Sequence, residues 1–300
     1  MKLEKNVLLA PYTTIRIGGT ARFMCFPSDF AELSKAIRWA KEEGLPVFLL
    51  GRGANTIFGD YYGLVINTSR LNGMKIFHAG EKVLLEAQCG VRLSQVVKLA
   101  LELNLEGIYK LAGFPATVGG AVAMNAGAFG TEISHYLKSL LVMDWEGNVE
   151  KISAEDVKFD YRSSPFPDMG IVLMAELELK RAELDVRHEQ NLIKERRRRT
   201  QPINMPTSGS TFKNPPGQYA GKLLEMVGMK GYRVGDVAFS HLHANFLVNL
   251  GDGRYEDALK ILLEAKRRVY EEFGIYLEEE VKVVESCSTH GGQVHHHHHH

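Results

Sequence analysis

From Ala112 to Gly130 the chain reads AGFPATVGGAVAMNAGAFG, with five glycines, six alanines, one proline and no charged residue. A coil of this composition offers water little besides its own backbone, so it does not suit a solvated linker. Two arrangements suit it. Small residues keep Cβ atoms out of the way, so backbone N–H groups can approach a flat or phosphorylated ligand. The same residues also allow segments to cross tightly inside a core. Composition leaves both readings open, and the rest of the sequence has to choose between them.

The bulk numbers exclude several classes. Lys plus Arg and Asp plus Glu balance at 36 each, so no overall field favours nucleic acid or a membrane surface. No apolar run approaches the roughly 20 residues of a membrane span, and no signal-peptide pattern opens the chain. A cytoplasmic protein is expected. Cys25, Cys89 and Cys287 are widely spaced and lack zinc or redox spacing, which predicts buried reduced thiols. His295–His300 is an expression tag and is set aside. At 300 residues the chain suits two or three domains.

Read in order, Ser28-Asp29 starts a helix, with Glu32 answering Asp29 in a capping arrangement. Phe30, Leu33, Ile37 and Ala40 share one face of it, and Gly44 and Pro46 end it. Val47 to Leu50 is a buried strand leading into GRGANTIFGD, Gly51 to Asp60, with a second short strand at Leu64 to Asn67. Gly51-Arg52-Gly53 lacks the third glycine of a Rossmann fingerprint, since Thr56 stands there, and no helix follows. A glycine-rich turn between strands can still nest a diphosphate, although an ordinary tight turn has the same sequence.

A strand at Val83 to Ala87 follows, then a helix capped by Ser94 and running through Leu103. Leu140–Asp144 and Asn148–Ile152 form a hairpin around Glu146-Gly147. Asp160–Phe166 is a polar loop before a strand at Ile171–Leu179. Glu183–Arg199 reads as a helix ending in four arginines, Arg196 to Arg199, expected to form a solvated face. Beyond it lie a short helix at Tyr219–Val227, a strand at Asn245–Asn249, a long helix at Glu256–Phe273 and a final strand at Leu277–Val284. The chain is thus α+β.

Four segments, GRGANTIF, AGFPATVGGAVAMNAGAFG, YRSSPF with GSTFKNP, and LEEEV, stand in an order and spacing that resembles the UDP-N-acetylenolpyruvoylglucosamine reductases, the flavoenzymes called MurB. The resemblance runs from TTIRIGG, Thr13 to Gly19, as far as Val284. It implies an FAD-binding PCMH/vanillyl-alcohol-oxidase-type domain in two subdomains, 1–67 and 68–199, and a C-terminal α+β substrate-binding domain, 200–294. It also implies non-covalent FAD, NADPH as reductant, a UDP-sugar substrate, and a monomer with no obligate protein partner and no metal.

Residue by residue, the resemblance puts Gly51, Arg52, Gly53, Ala54, Asn55 and Thr56 on the FAD diphosphate. It puts Gly113, Pro115, Thr117, Gly119, Gly120, Asn125, Ala126 and Gly127 along the dinucleotide and ring. Arg162 matches the substrate-carboxylate arginine, Ser210 the proton donor and Glu280 the glutamate of the final strand, in competition with Glu278 and Glu279. Tyr161, Lys213, Asn214 and Lys222 are candidates for substrate binding. His78 and His135 lie outside these motifs and are not expected to anchor flavin covalently. His241-Leu242-His243 stands where the family more usually has glutamate-lysine-histidine; a histidine pair two apart can bind metal, but packing is expected. The insertion that carries a substrate-covering tyrosine in longer members is missing between Phe166 and Ser208. An oxidase on the same flavin fold and a non-catalytic nucleotide-sugar binder are the competing functions.

Overall fold

The computed structural model describes residues 1–286 and the backbone of tag residues 296–299; Cys287 lies outside the described residues. The chain begins with β1 (Glu4–Leu8), β2 (Thr20–Cys25), α1 (Phe30–Glu42), β3 (Val47–Leu50) and β4 (Thr56–Asn67). It continues through β5 (Met74–Ala79), β6 (Lys82–Gln88), α2 (Leu93–Glu102), α3 (Val118–Met124), β7 (Gly127–Ala128), β8 (Thr131–Glu132), β9 (Leu137–Met143), β10 (Val149–Ser153) and β11 (Ile171–Lys180). α4 (Val186–Thr200) leads to β12 (Thr207–Ser210), α5 (Ala220–Met226), β13 (Arg233–Val234), β14 (Val237–Phe239), β15 (Phe246–Asn249), α6 (Tyr255–Phe273), β16 (Lys282–Ser286) and the tag strand β17 (His296–His299).

These elements build three main sheets. The first has the order β1-β2-β4-β3-β17, with β16 also on β4; β1 and β2 are antiparallel and the other pairs parallel. The second is antiparallel, β10-β9-β11-β6-β5, and the third is antiparallel, β12-β15-β14-β13. Each main sheet packs its apolar face against helices. Leu33, Ile37 and Ala40 of α1 meet Val47, Leu49 and Ile66. Residues of α2 and α3 cover β6, β9 and β11. Leu223, Leu224, Ile261 and Val269 of α5 and α6 cover the third sheet, joined by Ile15 and Ile17 from the N-terminal segment.

Local chemistry explains the predicted helices. Asp29 Oδ1 accepts from Glu32 N at 2.8 Å, and Glu32 Oε2 accepts from Ser28 N at 3.0 Å, so α1 starts where its capping signal stands. The hairpin turn is held by Asp144 Oδ1, which accepts from Glu146 N and Asn148 N, both at 2.9 Å. Cys25 and Cys89 are buried thiols, pushed up to about 12 by desolvation.

Several expectations need correction. The GRGANTIFGD segment turns only as far as Asn55; β4 then runs twelve residues through Gly59 and Gly63 instead of starting at Leu64. A Cβ at Gly63 would sit 2.5 Å from Pro46 O, so that glycine marks close backbone approach inside a strand and not a turn. Ser94 lies inside α2; the N-cap is Arg92, whose N–H donates to Gln95 Oε1 at 3.2 Å. The small-residue stretch contains a helix, α3, whose seven residues are all buried. Leu277–Val281 is irregular, and the last native strand is Lys282–Ser286. Strands β5, β12, β13 and β14 were not expected, being short, or fully exposed in the case of β5. No described helix is long and apolar enough to cross a membrane.

Candidate active site

A cavity of about 510 Å³ lies where the three sheets' connecting segments converge. Its walls include Ala54 and Asn55 after β3, Gly113 to Pro115 before α3, Met124 and Gly127 to Phe129 after it, Arg162, the stretch from Gln201 to Ser210, and Glu280. Both readings of the small-residue stretch therefore hold, in different places. Its middle, Val118 to Ala123, packs in the core, while its flanks line the cavity.

Arg162, Ser210 and Glu280 come from a loop, a strand end and an irregular segment, and all three reach this cavity. Arg162 sits in the left-handed region at φ 49. Its Nη2 donates to Gly127 O at 2.6 Å, its guanidinium lies 4.9 Å over the Tyr161 ring, and its Nε is 3.4 Å from Glu280 Oε1. Gly127 must be glycine here, because a Cβ would meet Arg162 Nη1 and Thr131 O at 2.7 Å each.

Glu280 is set apart from its two neighbours by their partners. Glu278 pairs with Lys213 at 3.3 Å and Glu279 with Lys266 at 2.7 Å. The backbone bonds Lys213 N to Glu278 O and Glu280 N to Thr211 O, 2.8 Å each, fix this segment beside β12. Asn55 Nδ2 also donates to Glu280 O at 2.7 Å. The Glu280 side chain is 10% exposed, and burial raises its carboxyl to about 7 against the opposing pull of Arg162 and Lys213. Desolvation thus outweighs two cations, and Glu280 exchanges its proton around neutral pH with Arg162 beside it.

Ser210 ends β12, which pairs with Phe246 of β15. Asn245 clamps the next residues: its Oδ1 accepts from Phe212 N at 3.0 Å and its Nδ2 donates to Phe212 O at 2.9 Å. Thr14 Oγ1 lies 2.7 Å from Thr207 O and 2.9 Å from Ala54 O, joining this strand to the turn after β3. Ser208 Oγ, on the same wall, is buried and has no hydrogen-bond partner among the described residues.

The other candidates divide. Thr117 caps α3 by accepting from Gly120 N at 3.2 Å, and Gly119 and Gly120 lie within that helix. Ala126 is buried behind the wall and Asn125 spends its amide on the protein. Arg52 is partly buried near Arg92; burial and that like charge lower its pKa. Lys213 borders an adjoining cavity of about 260 Å³ behind the Arg162–Glu280 pair. Asn214 caps α5, its Oδ1 accepting from Ala220 N at 2.9 Å, and Lys222 is exposed on α5 away from the cavity lining. The His243 ring packs 4.8 Å from Phe246, and burial lowers its pKa.

The arginine run departs from the expected solvated face. Arg197 turns inward and donates from Nη1 to Ala112 O at 2.6 Å and from Nη2 to Gly113 O at 3.3 Å. A planar fork suits two successive carbonyls, and this docks the end of α4 against the cavity wall. Arg198 pairs with Glu195 on the outside. Thr14, Phe129, Arg197, Met205 and Phe246 are lining residues missed in the sequence. Thr14 and Phe129 stand inside motifs already singled out; Arg197 is hidden by three identical neighbours.

Comparison with known proteins agrees with this arrangement. Residues 21–153 match the FAD binding domain family, and residues 201–284 match the UDP-N-acetylenolpyruvoylglucosamine reductase C-terminal domain. A UDP-N-acetylenolpyruvoylglucosamine reductase of Aquifex aeolicus is 49% identical over 294 residues, covering 98% of this chain and 99% of the relative. The chain belongs to the UDP-N-acetylenolpyruvoylglucosamine reductase family. A second such reductase, from Caldicellulosiruptor saccharolyticus, is 40% identical over 286 residues, covering 93% of this chain and 91% of its own. The crystal structure of the Thermus caldophilus reductase superposes with a TM-score of 0.78 at 34% identity, covering 94% of this chain and 99% of that one. The family's α+β architecture, with its FAD-binding part and its own C-terminal domain, is the one seen here.

Proposed function

We propose that this chain reduces the enolpyruvyl group of UDP-N-acetylglucosamine enolpyruvate to the lactyl ether, giving UDP-N-acetylmuramate for peptidoglycan, with NADPH as reductant. The observation that carries the reading is the convergence of Arg162, Ser210 and Glu280, from three distant segments, on one cavity.

The residues present fit FAD. The turn Gly51–Asn55 carries Arg52, which lies near Arg92, and a diphosphate would neutralise these two like charges. Gly113, Gly127 and Ala128 let the backbone reach the cavity surface, and the Ser208 hydroxyl is a buried group needing a partner. Gly113 to Pro115 before α3, and Gly127 to Phe129 after it, would hold the dinucleotide. When bound, FAD would supply hydride chemistry at the methylene carbon of the enolpyruvyl ether, with NADPH as the ultimate donor. The lining of the cavity favours non-covalent binding.

The chain's own residues handle the charge that follows. Negative charge develops on the carbon bearing the carboxylate and on the carboxylate itself. Arg162, already oriented by Gly127 O and the Tyr161 ring, disperses it. Protonated Glu280 donates a hydrogen bond to the same developing charge. Ser210 gives its Oγ proton to that carbon and regains one from solvent; serine is a weak acid, but an enolate-like carbon is basic enough to take its proton. Lys213, on the adjoining cavity, and Tyr161, under the Arg162 guanidinium, contribute to substrate binding. The domains are 1–67, 68–199 and 200–294, and the enzyme works as a cytoplasmic monomer.

Anaerobic half-reactions test this. NADPH should bleach the flavin absorbance, and the enolpyruvyl substrate should restore it; failure of the second step with a competent first would remove the assigned substrate.

The acid at position 280 sets a pH dependence. Its folded-state value, about 7, lies above that of an unfolded carboxyl, so folding favours the neutral form. That stabilisation is complete below the unfolded value and is lost as pH rises through about 7. The rate of substrate reduction should fall over the same window, and Glu280→Gln should flatten both profiles. A rate profile unchanged by Glu280→Gln would separate this group from the chemistry.

A further inference from the structure

We propose that Asn125 is the positioning residue for Arg162, bracing at once the loop that carries the arginine and the hairpin that receives its guanidinium. The inference rests on the carboxylate-binding role assigned to Arg162 above.

Asn125 ends α3 at φ 48 and ψ 59, and it is fully buried. Its Nδ2 donates to Asp160 O at 2.8 Å and to Glu132 Oε2 at 3.0 Å, while its Oδ1 accepts from Ser134 N at 3.3 Å. Both amide hydrogens are therefore spent inside the protein, and none is left for a ligand.

The two acceptors are the two halves of the Arg162 mount. Asp160 and Ser163 exchange backbone bonds of 3.1 Å in each direction, so Arg162 rides on a closed loop whose first carbonyl Asn125 grips. Glu132 pairs with Gly127 across β7 and β8, and Gly127 O accepts from Arg162 Nη2. One side chain thus sets the distance between the arginine's root and its anchor.

Asparagine meets both demands of the position. It tolerates the left-handed backbone, and its amide donates in two directions. Aspartate would keep the acceptor for Ser134 N but face Asp160 O and the Glu132 carboxylate with no donor. Glycine would satisfy the backbone and brace nothing. The asparagine's effect on chemistry acts through the placement of Arg162, where a displacement of about 1 Å can cost on the order of a hundredfold.

Calorimetric titration of the FAD-loaded protein without NADPH tests this with two probes. One is the enolpyruvyl substrate; the other is UDP-N-acetylglucosamine, which lacks the carboxylate. Asn125→Gly should weaken the first by roughly tenfold, the scale of a hydrogen bond to a charged group, and leave the second unchanged. Asn125→Asp, which retains the shape of the side chain, should act in the same direction. Arg162→Ala should show the same discrimination, and the double variant should lose no more than Arg162→Ala alone. Equal weakening of both probes by Asn125→Gly and Asn125→Asp, or additive losses in the double variant, overturns the positioning role while leaving Arg162 its own. An Arg162→Ala protein that treats both probes alike overturns the carboxylate reading, and the inference falls with it.

Discussion

Ser210→Ala is expected to leave flavin reduction by NADPH intact while slowing reduction of the enolpyruvyl substrate by roughly 10²–10⁴-fold, the range for a positioned proton donor. The change removes one oxygen from the end of β12. The strand itself is held elsewhere, by the Asn245 amide on Phe212 and by Thr14 against Thr207 O, so the cavity should keep its shape. Stopped-flow measurement of the two half-reactions separates the outcomes. In deuterated solvent, the residual activity should show which carbon acquires solvent hydrogen with lost facial selectivity, since water would replace a fixed donor. Equal slowing of both half-reactions would make Ser210 a cofactor or structural group and end its assignment as the proton donor.

Arg162→Ala should reduce the substrate step by about 10²–10³-fold, the usual cost of removing a preorganised charge-stabilising group, with FAD retained. The cause is specific. Arg162 is the principal cation opposing the burial of Glu280 and the one group linking Gly127 O, the Tyr161 ring and the Glu280 carboxylate. Its loss removes the larger of the two pulls that lower the Glu280 value, so the residual rate profile should move to higher pH than that of the unaltered protein. Arg162→Lys should not restore activity fully. A lysine carries the charge but not the planar fork that lets Nη2 bind Gly127 O while Nε faces Glu280. Recovery of apoprotein from Arg162→Ala would move the arginine to the cofactor side, and an unshifted pH profile would dissolve its coupling to Glu280.

The regular helices were legible because their signals are local. The stripe of Phe30, Leu33, Ile37 and Ala40 and the cap at Asp29 lie within one element, as do the apolar face of α6 and its closing Gly274. The site motifs were legible through their conjunction. What escaped was whatever depends on a distant partner. Leu277–Val281 reads as strand, yet its backbone is claimed by Thr211 and Lys213. Arg197 reads as one of four solvated arginines, yet carbonyls at Ala112 and Gly113 draw it inward. Asn125 and Asn214 read as ligand contacts, and the bonds they make to Asp160 O and Ala220 N depend on packing that no local signal announces.

By itself, the sequence determined the α+β class and the family, and it singled out Arg162, Ser210 and a glutamate of the last segment as candidates, because residue type and order encode chemistry directly. Only the tertiary structure decided which glutamate stands at the cavity. Lys213 and Lys266 hold Glu278 and Glu279 on the outside, and burial turns the remaining carboxylate into an acid near pH 7. Burial and pairing are properties of a carboxylate's surroundings, and those surroundings exist only once segments far apart in the chain have packed together.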